Sequence, residues 1–211
     1  MKKSDCEDEA PLNIAEKPLL LVLSGPSGAG KDAVLCRMEE MAVPFSHIIT
    51  ATTRPRRPAE KDGVNYHFIP EADFRQMIER QELLEYANVY GNWYGVPKAA
   101  VKEALDRGED VILKVDIQGA DSIKKLVPQA VSIFIVAPSM QELNKRLKGR
   151  NTESEKDMEL RLQTAIEEME KQHQFDYVVV NHPQQLDCVV DEIKAIITAE
   201  KRRITPREYN L

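Results

Sequence analysis

The residues best equipped for chemistry are Gly25, Pro26, Ser27, Gly28, Ala29, Gly30, Lys31 and Asp32, which run consecutively. They fit the pattern G-x-x-x-x-G-K. In it, glycines let the backbone curl so that successive N–H groups and a helix N-terminus face phosphate oxygens. Lys31 then reaches the β- and γ-phosphates of a nucleoside triphosphate. The next position is ordinarily Ser or Thr, whose hydroxyl ligates Mg²⁺; here it is Asp32. Its carboxylate reads as a Mg²⁺ ligand, direct or through water. The other reading is that its charge only favours the positive end of the helix that follows. A second cluster, TTRPRRP at 52–58, sets Arg54, Arg56 and Arg57 among two prolines. Guanidinium groups grip phosphate oxygens bidentately, and a stiff backbone lowers the cost of holding them. A site for an acceptor phosphate beside the donor loop is therefore expected, in preference to a merely solvated charged loop.

Both clusters need elements to hold them. Residues 19–23 (LLLVL) form a short continuous apolar run between Pro18 and the glycines, the pattern of a strand buried on both faces. Helical periodicity follows from Ala33 to Met41. Buried strands are also expected at 111–115, 131–136 and 177–180, with helices around 98–107, 119–127, 140–149, 154–172 and 185–203. Strands alternating with helices imply a three-layer α/β core on a parallel sheet. The segment 49–97 breaks that rhythm, with β-prone pieces at 48–53, 65–69 and 83–90 and an amphipathic helix at 71–80. It reads as a small mixed insertion. The charged stretch 141–171 reads as exposed helices projecting from the body, a lid. Trp93 and Tyr90 are expected to pack within the insertion. His47, His67, His173 and His182 have no ligand spacing and read as non-catalytic.

Composition narrows the partners. The 211 residues carry a formal net charge of −6, with 42% hydrophobic and 30% charged residues, a balance that suits a soluble domain with a real core. An acidic chain is not expected to coat nucleic acid or an anionic membrane, so anionic ligands must be met by local clusters of cations. Cys6, Cys36 and Cys188 are far apart and read as reduced thiols of a cytoplasmic protein. No apolar run approaches the ~20 residues that span a bilayer. The polar, acidic residues 1–17 read as a mobile tail, not a signal peptide.

From about residue 19 to the C-terminus the chain resembles guanylate kinase. GPSGAGK, TTRPRR, GVNYHF, LLEYANVYGNWYG, VDIQGA and LKGRNTESE stand in that family's order and spacing. The resemblance implies transfer of the γ-phosphoryl group of ATP to GMP, and to dGMP, with Mg²⁺. It implies that Thr50, Arg54, Arg57, Tyr66 and Tyr94 hold the GMP phosphate and that Glu85 accepts hydrogen bonds from guanine. Arg146, Arg150 and Arg161 match lid arginines that close over the transferring group. Asn181 matches an asparagine near the donor nucleotide, and Asp116 an acid near the phosphates and metal.

Two positions of the implied guanine pocket depart from the family pattern. Val96 stands where a Ser or Thr hydroxyl reaches guanine O6, and Lys114 where an acidic residue helps to accept from the base. Lys114 can donate to O6 itself or pair with Glu85. The expected architecture is thus a P-loop kinase core (18–48, 98–139 and 171–211), a GMP-binding insertion (49–97) and a helical lid (140–170), as a monomer or homodimer. The alternatives are a same-fold kinase with another acceptor base and a non-catalytic module that binds phosphopeptides.

Overall fold

The computed structural model of the protein describes residues 16–89, 91–148, 155–209 and 211, with the side chains at 148 and 155–162 outside the description. Its centre is strand β1 (Leu20–Ser24), every residue of which is buried. Helix α1 (Lys31–Glu40) follows the glycine loop, and β2 (Ser46–His47) follows α1. After the insertion come α3 (Lys98–Asp106), β7 (Val111–Lys114), α4 (Ile117–Leu126), β8 (Val131–Val136), β9 (Tyr177–Val180) and α7 (Leu186–Lys201). The sheet order is β2-β7-β1-β8-β9, and every pairing in it is parallel.

Side-chain alternation along β1 builds the layers. Leu21 and Leu23 join Val34, Leu35 and Met38 of α1 with Val189, Val190 and Ile193 of α7 in one apolar cluster. Leu20 and Val22 face the other way, into a cluster with Val101 and Ala104 of α3 and Ala120 and Ile123 of α4. A strand covered by helices on both faces has no polar side, which is why this one reads as an unbroken apolar run.

The insertion is a second sheet in the order β4-β3-β6-β5, built from β3 (Ala51–Thr52), β4 (His67–Phe68), β5 (Leu83–Val89) and β6 (Asn92–Pro97). Helix α2 (Glu71–Glu79) drives Phe74, fully buried, against Ala51 and Leu83. Strand β6 is absent from the sequence expectation because Gly95 and Pro97 break its β pattern. Gly95 is nevertheless required there: a Cβ would stand 2.8 Å from Leu83 Cδ1 and 2.9 Å from Phe74 Cζ. Strand β2 is likewise absent from the expectation, being too short to show alternation.

Two further expectations are corrected. Helices α5 (Met140–Lys148) and α6 (Glu155–Glu170) lie in the charged stretch, yet α5 does not project freely. Its Leu143 and Leu147 are buried with Ala137 and Ala165, and their methyl groups stand over Gly28. Of the expected mobile tail, residues 1–15 lie outside the description, but Glu16 and Lys17 are tied down. Glu16 pairs with Arg202 at 3.1 Å, and Lys17 donates to Glu208 at 2.5 Å. Among the described residues no helix is long and apolar enough to cross a membrane.

Phe74 is the keystone of the second sheet. Phe74→Ala should destabilise the protein by about 3–5 kcal/mol in urea titration, the usual cost of emptying a buried aromatic site.

Candidate functional site

The glycine loop leaves β1 at Gly25, whose φ of +142° and close approach to the Ile135 carbonyl exclude any side chain: a Cβ would lie 2.1 Å from that oxygen. Gly30 has φ +97°, and a Cβ there would meet Asn181 Nδ2 at 2.3 Å. Asn181, 4% exposed at the end of β9, donates through Nδ2 to the Ala29 carbonyl at 2.8 Å. Arg146 on α5 donates to the same carbonyl at 3.3 Å and to the Asn181 carbonyl at 2.9 Å, while Glu142 holds its Nε at 2.8 Å. Asn181 and Arg146 therefore grip the loop's backbone and hold its curve. Lys31 Nζ is drawn under the loop, donating to the Gly25 carbonyl at 2.5 Å and to that of Pro26 at 3.3 Å. Burial lowers its pKa, against the opposing pull of Glu168, Asp32 and Asp116.

The arginine cluster is organised by a residue that the sequence reading missed. Glu60 accepts from Arg54 Nη2 with both oxygens, at 2.7 and 3.0 Å, and from the Arg57 backbone N–H at 2.8 Å. The Arg57 guanidinium reaches it at 4.0 Å. Burial works to raise the Glu60 pKa, but Arg54 and the Arg57 N–H hold it below the ordinary carboxylate value. The available signal was one of charge: a carboxylate three residues beyond the arginines, after a proline turn. Arg54 Nε also donates to the Tyr94 hydroxyl at 3.2 Å, and its guanidinium lies 5.7 Å from the Tyr66 and Phe68 ring centroids. Tyr66 and Tyr94 meet edge to face at 5.8 Å. Thr50 is buried at the start of β3. Arg56 is exposed and outside this set.

Between the two clusters lies a line of ionisable groups. Glu85 on β5 is 5% exposed, and its Oε2 is buried with no hydrogen-bond partner among the described residues. Burial, and then the charge of Asp116, push its pKa up to about 8. It faces Gly119 so closely that a Cβ there would stand 3.0 Å from Oε2. Asp116 caps α4, accepting from the Gly119 N–H at 2.7 Å. Lys114 pairs with Asp32 and not with Glu85. Its ammonium donates to Asp32 Oδ1 at 2.6 Å and stands 4.6 Å from the Tyr66 ring centroid. Val96 is opposite Glu85 in the β5–β6 register, but it is fully buried in the apolar cluster of Leu84 and Val101. It presents no surface to a ligand here. Arg150 lies outside the described residues; Arg161 is on α6, with its side chain outside the description.

A glycine-built loop, a lysine, paired arginines and a buried carboxyl with one unpartnered oxygen are groups whose chemistry suits phosphates and a hydrogen-bond-donating edge. Comparison with known proteins gives the family. The family described as "Guanylate kinase" matches residues 17–200. Among curated relatives, the chain is 46% identical to "Guanylate kinase" of Desulfitobacterium hafniense (strain Y51), covering 90% of this chain and 94% of that one. It is 44% identical to "Guanylate kinase 2, chloroplastic/mitochondrial" of Oryza sativa subsp. japonica, over 95% of this chain and 71% of that protein. The crystal structure of guanylate kinase from Anaplasma phagocytophilum superposes with a TM-score of 0.73 at 31% identity, covering 90% and 89% of the two chains.

The Glu85 environment has a consequence for stability. Because its pKa is raised from 4.5 to about 8, the folded state holds a proton that the unfolded state releases across that interval. Stability therefore falls as pH rises from about 5 to 8, and levels off above. Thermal melts of the nucleotide-free protein should show that fall, and Glu85→Gln, which cannot ionise, should flatten it.

Proposed function

The chain belongs to the guanylate kinase family and transfers the γ-phosphoryl group of ATP to GMP, giving ADP and GDP; from that premise we propose which of its residues perform each part of the reaction. Loop N–H groups between Gly25 and Lys31, other than that of Ala29, which donates to the Pro26 carbonyl at 3.1 Å, and the start of α1 receive the donor phosphates, and the Lys31 ammonium leaves the Gly25 and Pro26 carbonyls to meet them. Arg54 and Arg57 bind the GMP phosphate, with the hydroxyls of Tyr66, Tyr94 and Thr50 completing the set. They exchange the oxygens of Glu60 for those of the phosphate, so the ligand meets guanidinium groups that are already oriented. Arg146, Arg150 and Arg161 neutralise charge on the group in flight. Asn181 holds the loop that carries the donor. Residues 140–170 act as the lid, 49–97 as the acceptor-binding insertion, and 18–48, 98–139 and 171–211 as the core.

The observation that carries the base assignment is the Glu85 carboxylate, buried and with one oxygen unpartnered. Guanine offers N1–H and a 2-amino group on one edge, two donors for two oxygens. Adenine offers no such pair of donors and cannot repay ionising the buried group, and a site built on such a pair discriminates by ~10⁴ or more.

Phosphoryl transfer needs little covalent help from the protein; positioning and charge stabilisation supply the rate. The residues present also fit Mg²⁺, a hard cation that takes one or two carboxylates and completes its shell with phosphate and water. Asp32, exposed at the first turn of α1, is the carboxylate placed to hold it, with Asp116 nearby. When bound, the ion neutralises charge on the β- and γ-phosphate oxygens. We further place the enzyme in the cytoplasm, where the exposed, unpaired Cys36 and Cys188 stay reduced.

Lys31→Ala should lower kcat by roughly 10²-fold or more in a folded protein, and near-normal turnover would remove the lysine from catalysis. Arg54→Ala should weaken GMP by ~2–5 kcal/mol with a smaller effect on ATP. Loss of ATP affinity alone would mean that the arginines serve the donor.

Base recognition is also linked to a proton. The empty site holds Glu85 protonated below about pH 8, whereas guanine's donors require the carboxylate. GMP binding therefore expels a proton, and affinity should rise by up to about tenfold per pH unit from 6 to 8. Calorimetry in buffers of different ionisation heat reads the proton directly. No proton release, or AMP turnover equal to that of GMP, would remove Glu85 from base recognition.

A further inference from the structure

Asp32 and Lys114 both depart from the motif patterns they occupy, and in the folded chain they touch. A carboxylate stands where a hydroxyl is usual, an ammonium where an acid is usual, and 82 residues apart in sequence they form an ion pair of 2.6 Å. Either substitution alone unbalances the site. Asp32 alone would set a negative charge beside the phosphates, and Lys114 alone would bury an ammonium without a counter-ion. Together they are neutral.

The pair is built unequally. The Lys114 side chain is 6% exposed and that of Asp32 64%, so the carboxylate at the rim reaches in to hold a buried cation. Burial alone would depress the Lys114 pKa, but Tyr66 and Asp32 raise it above the ordinary value, so the ammonium stays charged. The nearby His47 adds no competing charge: burial, and then Lys114, lower its pKa to about 4.

The other face of the ammonium meets Tyr66. Its 4.6 Å approach to the ring centroid lies within cation–π range. Arg54 lies 5.7 Å from the same ring, so Tyr66 is held by two cations. A continuous chain of contacts thus runs from the first turn of α1 through Asp32, Lys114, Tyr66 and Arg54 to Glu60. We infer that Lys114 is a positioning residue for the acceptor phosphate, with Asp32 acting through it: the ion pair braces Tyr66 against the donor loop. This rests on the acceptor-site reading above. It takes position 114 away from the base edge and gives it to the alignment of the two phosphate sites.

The test is a double-mutant cycle read by metal-free binding, where a role of Asp32 toward Mg²⁺ cannot contribute. Dissociation constants for GMP and for ATP are measured by calorimetry in chelator for the wild type, Asp32→Asn, Lys114→Met, the double variant, Lys114→Arg and Arg54→Ala, each checked for folding by thermal melt. Asp32→Asn and Lys114→Met should each weaken GMP by about tenfold, and the double variant by no more than either. ATP should change by less than about twofold in Lys114→Met, and Lys114→Arg should recover most of the GMP affinity. Multiplicative losses, unchanged GMP affinity in Asp32→Asn, or an equal loss of ATP would each overturn the inference. Asp32→Asn, at an exposed carboxylate, keeps the test decisive should Lys114→Met fail to fold. If Arg54→Ala leaves GMP affinity intact, the acceptor-site reading itself falls. If Arg54→Ala weakens GMP and the Asp32 and Lys114 variants do not, only the brace falls.

Discussion

The Ala29 carbonyl oxygen accepts hydrogen bonds from Asn181 and Arg146, residues 152 and 117 positions away in the chain. Much of the donor site depends on this meeting point. A loop that curls toward a ligand turns carbonyls toward the protein, and an unpaired buried carbonyl would cost free energy. Asn181 is fixed in turn by its N–H bond to the Val136 carbonyl, and so by the pairing of β8 with β9. Arg146 is fixed by Glu142 on its own helix. The curve of the loop is thereby set by the far edge of the sheet and by α5, not by its glycines alone. The glycines permit the shape; the distant donors select it.

A second regularity is that the cations of the site already have acceptors within the protein. Arg54 and Arg57 share Glu60, and Lys114 holds Asp32, while Lys31 lies against two carbonyls. Buried or half-buried charges without partners would be costly, and in a chain of net charge −6 the carboxylates are available. Ligand binding is then an exchange of partners, so its net free energy is far smaller than the sum of new contacts. Orientation is the gain. The guanidinium groups and the Tyr66–Tyr94 pair are set before the ligand arrives, so little side-chain freedom remains to be lost.

Local sequence carried the parts of the structure that local physics determines. The glycine loop, the doubly buried β1 and the core helices were legible because backbone freedom, apolar runs and 3.6-residue periodicity are properties of short windows. What escaped was relational. Strand β6 breaks its own pattern at Gly95, a residue that makes sense only beneath Phe74 and Leu83. Helix α5 looked exposed because its charges outnumber its leucines, yet Leu143 and Leu147 suffice to seat it over Gly28. Glu60 was overlooked as one acid in a charged turn, and Lys114 was weighed only against the base and Glu85. Glu60 apart, whose partners Arg54 and Arg57 are close in the chain, none of these contacts joins residues within ten positions of each other.

Glu85 differs from the other carboxylates of the site in having no cation beside it; Glu168, whose Oε2 is likewise buried without a partner among the described residues, has Lys31 nearby. Asp32 and Glu60 are matched with cations, whereas Glu85 is buried beside Gly119 and near another acid, Asp116, with one oxygen unpartnered. Such an arrangement lowers the stability of the empty protein at neutral pH. Val96, opposite it in the ladder, is buried among aliphatic side chains, so an apolar neighbour at position 85 would extend that cluster. A destabilising group kept in an otherwise favourable apolar setting indicates a partner supplied from outside. On the proposed role of Glu85, the cost is also the source of selectivity: a carboxylate already satisfied by the protein would have little to gain from guanine. The same desolvation that makes Glu85 a liability in the empty fold makes it discriminating when the base arrives.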